Sequence, residues 1–224
     1  SNTDTLAEVA NEDSFTNLSD QLDGVSEVTL TKNYTYKDGD SFSNGIVIDR
    51  DIVIIGQGNI IIDANHKSRV FTIVDDATVT LKGITFINGN ATDGHGGSIW
   101  AKGEVHIDNC KFINNTAGGH GGAVYLGSSD GDTITNCNFE GNVAGLNGGA
   151  IDWVAGSSNG QVSGSTFENN TAKRSGGAIH WSGHYGIIKN SNFTNNVATG
   201  EVNSTIGGEF GRGDGGAVLW GIED

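Results

Sequence analysis

The sequence predicts an all-β protein that winds as a parallel β-solenoid, and three observations predict it. A phenylalanine recurs every 26 to 28 residues, and a pair of adjacent glycines follows each one. Short β-rich runs such as GEVHI and GGAVYL fill each repeat, separated by Gly, Asn, Ser and Asp. No repeat has the apolar 3.6-residue spacing of a helix, and the period is too short for a strand–helix–strand unit. One repeat therefore forms one coil, and the repeats are centred on Phe86, Phe112, Phe139, Phe167 and Phe193.

The N-terminal segment is predicted to carry a short capping helix. Asp13 and Ser14 are residue types that cap helix N-termini, and the helix is expected to end near Gly24. The first coil of a solenoid has an unpaired edge and an open core, which such a helix would cover. The apolar residues with helical spacing are Phe15, Leu18, Leu22 and Val25.

Within the coils, each sequence slot is expected to stack on its counterpart in the next coil, about 4.8 Å away. Inward phenylalanines then form an aromatic column, and asparagine side chains can bond the backbone of neighbouring coils. The glycine pairs permit backbone angles or close approaches that a Cβ would prevent. The predicted asparagine ladder lies three residues after each phenylalanine and consists of Asn115, Asn142, Asn170 and Asn196, with Gly89 in the first copy.

The chain is divided into an N-terminal segment with its capping helix, residues 1–27, and one solenoid, residues 28–224. Because the sequence stops inside a repeat, we expect it to be a truncated part of a longer chain. The formal net charge of -15 excludes nucleic acid and anionic membranes as expected partners, since both need clustered Lys and Arg. No apolar stretch is long enough to span a bilayer, so no membrane insertion by this fragment is expected.

An outward-facing row of side chains is the predicted partner-binding surface. The fourth residue after each glycine pair is always aliphatic, so the fourth and sixth should face inward and the fifth outward. Exposed aromatic residues beside polar ones are typical of carbohydrate or protein contact surfaces. The alternative is that the parity is wrong near a turn and the aromatic residues close the core. The row reads Trp100, Tyr125, Asp152, His180 and Leu219.

Cysteine and metal chemistry give weaker expectations. Cys110 and Cys137 hold the same slot in consecutive coils, which favours a buried reduced pair over a disulfide. No cofactor is expected, although calcium is possible at two Asp-Gly-Asp turns, which are also ordinary turn sequences. A zinc site at two histidines would lack obvious further ligands. The residues concerned are Asp38, Asp40, Asp130 and Asp132 for calcium and His95 and His120 for zinc.

A glycan-active enzyme is the alternative from another class. GHG occurs at 94–96 and 119–121 and DD at 75–76, resembling fragments of polygalacturonase motifs. His95 and His120 share one slot, however, and a polar turn ladder explains them more simply. The other members of that slot are Asn147, Ser175 and Asp214.

The paired motifs FxxN and GGA[ILV] carry a family resemblance. They read FINN...GGAV, FEGN...GGAI, FENN...GGAI and FTNN...GGAV in successive copies. They resemble the repeats of polymorphic outer-membrane proteins and of adhesin-like surface proteins of methanogenic archaea, and the lead-in over about 34–73 looks like the archaeal group. Two copies depart from this paired pattern. The first reads FING and GGSIW, and the last has an extra loop over 199–214.

The resemblance covers residues 13–224 and implies an all-β, right-handed, single-stranded parallel β-helix with a short N-terminal capping helix. It also implies an extracellular, cell-surface adhesin, usually part of a larger chain, and it carries over no catalytic residues. We therefore expect a non-catalytic fragment, a monomer, that attaches to a surface protein or glycan of another cell. The alternatives are a structural stalk or spacer, and a polysaccharide-active β-helix enzyme.

Overall fold

The structure is a computed structural model, and it describes residues 12–127, 129–201 and 215–221. Within these ranges one short helix is followed by a long series of short strands. In chain order the elements are β1 (Glu12–Ser14), α1 (Phe15–Leu22), β2 (Glu27–Leu30), β3 (Asn33–Thr35), β4 (Ile46–Ile48), β5 (Ile52–Asp63), β6 (Phe71–Ile73), β7 (Thr78–Ile87), β8 (Asn90–Ala91), β9 (Ile99–Ala101), β10 (Glu104–Asp108), β11 (Lys111–Ile113), β12 (Thr116–Ala117), β13 (Val124–Leu126), β14 (Thr133–Thr135), β15 (Asn138–Glu140), β16 (Val143–Ala144), β17 (Ile151–Trp153), β18 (Gln161–Ser163), β19 (Thr166–Glu168), β20 (Thr171–Ala172), β21 (Ile179–Trp181), β22 (Ile187–Lys189), β23 (Asn192–Thr194), β24 (Val197–Ala198) and β25 (Val218–Trp220).

The strands form three parallel sheets of 13, five and seven strands, which we call the first, second and third sheets. From β10 onward, each coil gives two strands to the first sheet and one to each of the others. The third sheet runs β4–β6–β9–β13–β17–β21–β25, with one strand from each coil. The predicted all-β parallel β-helix with a short N-terminal helix is confirmed.

Equivalent side chains lie directly above one another. Phe112 pairs in register with Phe139, and Phe139 with Phe167. From Phe86 to Phe193 the ring centroids are 4.8 to 4.9 Å apart with planes within 13° of parallel. Stacked, buried rings give a continuous apolar column, and each buried side chain contributes about 1.5–3 kcal/mol relative to exposure.

The asparagines three residues later form a hydrogen-bonded ladder in the interior. The backbone N–H and the side-chain Nδ2 of Asn115 both donate to Asn142 Oδ1 at 3.0 Å, and Asn142 repeats this pattern with Asn170. Each Nδ2 also donates to a phenylalanine carbonyl of the preceding coil, as Asn142 does to Phe112 O at 2.9 Å. Each side chain therefore satisfies polar groups that the turn would leave unpaired.

Gly89 departs from this ladder for a steric reason. Its N–H still donates to Asn115 Oδ1 at 2.8 Å, so the ladder continues through the backbone. A Cβ on Gly89 would lie 2.2 Å from Gly97 O, closer than any side chain tolerates. Asparagine is therefore excluded from position 89.

The corners of the coil use left-handed backbone conformations. The slots three residues before and two residues after each phenylalanine have φ between 50° and 65° in every described repeat. Glycine and asparagine are the residues that adopt this region most readily. The corner residues are Gly83, Asn109, Asn136, Gly164 and Asn190 before the phenylalanine, and Asn88, Asn114, Gly141, Asn169 and Asn195 after it.

The two members of a glycine pair have different roles. Gly121 has φ +65°, whereas Gly122 is needed because a Cβ there would lie 2.0 Å from Gly149 O of the next coil. The pair thus turns the chain into the third sheet and lets two coils approach closely.

The capping helix α1 buries Phe15, Leu18 and Leu22 against the first coils, and Ser14 caps it by accepting from Asn17 N at 3.1 Å. Asp40 reinforces this end, because its carboxylate accepts from the N–H groups of Phe15 (3.0 Å) and Thr16 (2.8 Å). No helix in the described ranges is long and apolar enough to span a bilayer.

Both cysteines are buried and free. Burial raises the pKa of both thiols, to about 12 for Cys137. The predicted extra loop lies outside the described residues from 202 onward, as does Asp214.

Candidate functional site: a groove on the third sheet

The middle residues of the third-sheet strands form one continuous row along the axis of the solenoid. In successive coils Thr72 pairs with Trp100, Trp100 with Tyr125, Tyr125 with Asp152, Asp152 with His180, and His180 with Leu219. In β9 and β13 the residues on both sides of the row are fully buried, whereas Trp100 and Tyr125 are partly exposed. These two aromatic residues therefore lie on the outer face and do not close the core.

The expectation that the whole row is exposed is wrong for two members. Asp152 is 3% exposed and His180 is 6% exposed. The reason is that other segments rise beside the row: His120, Asn147 and Arg174 precede the strands, and Val154, Ala155 and Ser182 follow them around the same cavity of about 270 Å³. Alternation along a strand determines the face, but it does not determine what covers that face. The row is the floor of a groove.

The aromatic rings of the groove stack against one another. The rings of Trp100 and Tyr125 are 6.5 Å apart and within 6° of parallel. The imidazole of His95 stacks on Tyr125 at 4.8 Å and 20°. Lys102 Nζ lies 5.3 Å from the centre of the Trp100 ring, within the range of a cation–π contact.

Next to the aromatic residues, a buried carboxylate lies between two imidazoles. His180 Nδ1 is 2.5 Å from Asp152 Oδ1, and His120 Nδ1 is 3.9 Å from Asp152 Oδ2. Three buried polar atoms here have no hydrogen-bond partner among the residues that the structure describes: His120 Nδ1, Asn147 Oδ1 and His180 Nε2. Unsatisfied polar atoms are costly in a protein interior, so their concentration marks this cavity as a site that a polar ligand would complete.

The folded protein favours the neutral form of the two turn histidines, His95 and His120. His95 Nδ1 accepts the backbone N–H of His120 at 3.0 Å, which requires an unprotonated Nδ1. Burial lowers the pKa of both imidazoles, although the charge of Asp152 opposes this. Burial, with a smaller contribution from Asp152, raises the pKa of Tyr125.

Arg69 forms the other end of the groove. Its Nε donates to Gly96 O at 2.9 Å, Nη2 to His95 O at 2.6 Å, and Nη1 to Thr72 Oγ1 at 3.2 Å and to Asn44 O at 3.3 Å. Burial lowers the pKa of this guanidinium to about 10. A second cavity of about 340 Å³ lies here, lined by Asn44, Arg69, Thr72, Gly94, His95 and Trp100.

Comparison with known proteins gives the family. The family model for the right-handed beta helix region matches residues 95–206, half of the chain. The chain belongs to the right-handed β-helix family. The hand of the coil is thereby the predicted one. No curated protein and no solved structure matches this β-helix in sequence.

The acidic turns of the β-helix have structural roles. Asp40 accepts the N–H groups at the start of α1, and Asp132 accepts Val105 N at 2.8 Å and a hydrogen bond from Ser129. Asp130 Oδ1 accepts Asn159 Nδ2 at 2.7 Å, and Asp38 is a turn residue beside Asp40. In the described part of the chain, no group of three or more His, Cys, Asp or Glu residues could hold a metal ion.

Sequence reasoning missed two parts of this groove in the β-helix. It favoured a turn ladder for His95 and His120 over a zinc site or a catalytic motif and did not connect them with the row, although the turn lies beside the row and brings both imidazoles next to Tyr125. It did not single out Arg69, which lies outside the regular repeats. The available signal was the clustering of three of the six histidines and two of the four arginines at equivalent or neighbouring slots.

Proposed function

We propose that this β-helix is a non-catalytic, extracellular attachment module of a cell surface that binds a glycan chain along the groove. The observation that carries the proposal is the pair of nearly parallel, partly exposed rings of Trp100 and Tyr125, between two cavities on one continuous row. Flat aromatic faces pack against the C–H faces of sugar rings, and the indole N–H and phenol O–H remain free to bond hydroxyls.

The direction of the row supports a polymer as the ligand. Successive members are one coil apart, about 4.8 Å, so the row extends along the axis of the solenoid, with one cavity beside Trp100 and the other beside Tyr125. A sugar ring and one coil have similar depth, and a chain of sugars can therefore repeat its contacts as the protein repeats its coils.

Binding measurements on the full chain test the proposal. We expect Trp100→Ala and Tyr125→Ala each to weaken glycan binding about tenfold, the effect of about 1.4 kcal/mol, while the free energy of unfolding changes little because both rings lie outside the core. Tyr185→Ala is the matched control, since Tyr185 is 82% exposed and is not part of the groove. Titration against immobilised polysaccharides supplies the affinities.

Two results would contradict the proposal. If the unmodified chain binds no glycan, the stalk reading gains support. If the two substitutions unfold the protein without changing its affinity, the rings are structural.

A polysaccharide-active enzyme is the second candidate, and the buried Asp152–His180 pair favours it. A carboxylate that holds one imidazole nitrogen is the arrangement by which proteins orient a histidine for proton transfer. The test is incubation of the chain with a panel of polysaccharides, followed by analysis for new reducing ends or unsaturated products. Products that disappear in Asp152→Asn would replace the non-catalytic proposal.

A further inference from the structure

The guanidinium of Arg69 has a donor and a charge that the protein does not use. Of its five N–H groups, the bonds to Gly96, Thr72, Asn44 and His95 occupy four, which leaves one on Nη2 without an acceptor in the described ranges. No described residue forms an ion pair with it. Arg69 is partly buried, and a charge that is bonded only to neutral oxygens is not neutralised and still attracts an anion.

The cavity beside Arg69 is suited to receive such an anion. Among the described residues its lining includes no carboxylate, and Trp100 and His95 form its walls toward the rest of the groove. Arg69 also lines a second depression, which contains Asp93 and Lys67. The guanidinium is held in place by backbone carbonyls, so a ligand would meet an already oriented group.

The distribution of charge gives an independent argument. The chain has a formal charge of -15 and only 12 Lys and Arg residues, so its surface in general repels anions. Along the groove, two positively charged residues, Arg69 and Lys102, lie on either side of Trp100, and Arg174 lines the neighbouring cavity. Among the described residues that line the two cavities, Asp152 is the single carboxylate, and it is hydrogen-bonded to His180.

We infer that the ligand of the groove is an anionic glycan, whose carboxylate or sulfate group binds Nη2 of Arg69 while its sugar ring packs on Trp100. Lys102 contributes a second positive charge at the rim. The neighbouring cavity, where His120 Nδ1 has no hydrogen-bond partner among the described residues, receives the next polar substituent. This inference rests on the proposed glycan binding and specifies its chemistry.

The test compares three polymers: a carboxylated one (polygalacturonate), a sulfated one (dextran sulfate) and a neutral one (dextran). We expect at least one acidic polymer to bind about tenfold or more tightly than dextran, with an affinity that falls as salt is raised. The stronger of the two acidic polymers identifies the acidic group.

Charge variants locate the effect. Lys102→Glu is expected to weaken binding of the acidic polymer severalfold more than it weakens binding of dextran, because only the acidic polymer interacts with the charge of this exposed side chain. Lys111→Glu is the matched control, an exposed lysine on the first sheet, and should change neither. Arg69→Lys retains the positive charge but loses the planar guanidinium and its paired N–H groups. If this variant folds, it should weaken binding of the acidic polymer more than Lys102→Glu does.

The outcomes separate the two proposals. Equal binding of dextran and acidic polymers, or equal effects of Lys102→Glu and Lys111→Glu, would overturn the anionic ligand and leave the glycan-binding groove intact. Failure of every polymer to bind would overturn both.

Discussion

The protonation of the turn histidines His95 and His120 affects the stability of the fold. His120 lies against the ring of His95, its Nδ1 is 3.9 Å from the carboxylate of Asp152, and His180 and Arg174 are close enough to influence its charge. Burial lowers its pKa and that of His95, and the neighbouring positive groups act in the same direction, so the folded state disfavours the imidazolium form. Asp152 opposes this shift without cancelling it.

Acidification should therefore destabilise the protein through these residues. The unfolded chain protonates histidine near pH 6.5, above the lowered pKa of the folded state, so below that pH the unfolded state binds more protons. The free energy of unfolding should be constant from pH 8 to about 7 and fall as the pH decreases from 6.5 to 5. Denaturant titrations of the wild type and His120→Gln should show a smaller loss in the variant.

His184→Gln is the control for this prediction, because His184 is exposed and outside the groove. If His120→Gln loses as much stability on acidification as the wild type does, the imidazole titrates equally in both states and the reasoning is wrong.

At the scale of an element, the asparagine ladder connects successive coils through hydrogen bonds of its side chains. Asn142 accepts two hydrogen bonds from Asn115 and donates to Phe112 O and to Asn170 Oδ1, and it is fully buried. Asn142→Ala would leave these groups unpaired, at about 1–3 kcal/mol for each one that water does not reach. We expect a loss of about 3 kcal/mol in the free energy of unfolding, measured by chemical denaturation.

The comparison for Asn142→Ala is Asn192→Ala, an exposed asparagine in strand β23. The free energy of unfolding of Asn192→Ala should lie within about 0.5 kcal/mol of that of the wild type. Similar losses in both variants would mean that the ladder contributes packing but no net hydrogen-bond stability.

The inward slots could be predicted from the sequence, whereas the corners could not, because the two kinds of slot restrict residue type differently. A column such as Phe112 over Phe139 demands one residue type in every coil, so it is visible as a repeat. The corner after the phenylalanine demands only φ > 0, which Asn114 and Gly141 both meet, so its residues differ and the slot is not obvious. The groove was harder still, because the contacts of Arg69 occur in a single coil and leave no period.

At the scale of the whole molecule, the coil is the unit that can be added or removed. Contacts run between adjacent coils, so stability is close to a sum over coils and their interfaces, as in other solenoids. Asn138 pairs with Thr166 and Phe139 with Phe167, which makes residues 139–166 one complete period. Removing them joins Asn138 to Phe167 and restores every corner, ladder and column in register.

We therefore expect the deletion of 139–166 to fold into a shorter β-helix with one cooperative unfolding transition. The dependence of its unfolding free energy on denaturant should fall by about the share of one coil, since that slope follows the surface exposed on unfolding. Deleting only 139–152 joins Asn138 of the first sheet to Trp153 of the third, so inward and outward slots no longer coincide and cooperative unfolding should be lost. Circular dichroism during denaturation measures the unfolding of both variants. If the deletion of 139–152 folds and the deletion of 139–166 does not, equivalent slots do not stack as described, and the groove that depends on this stacking is wrong.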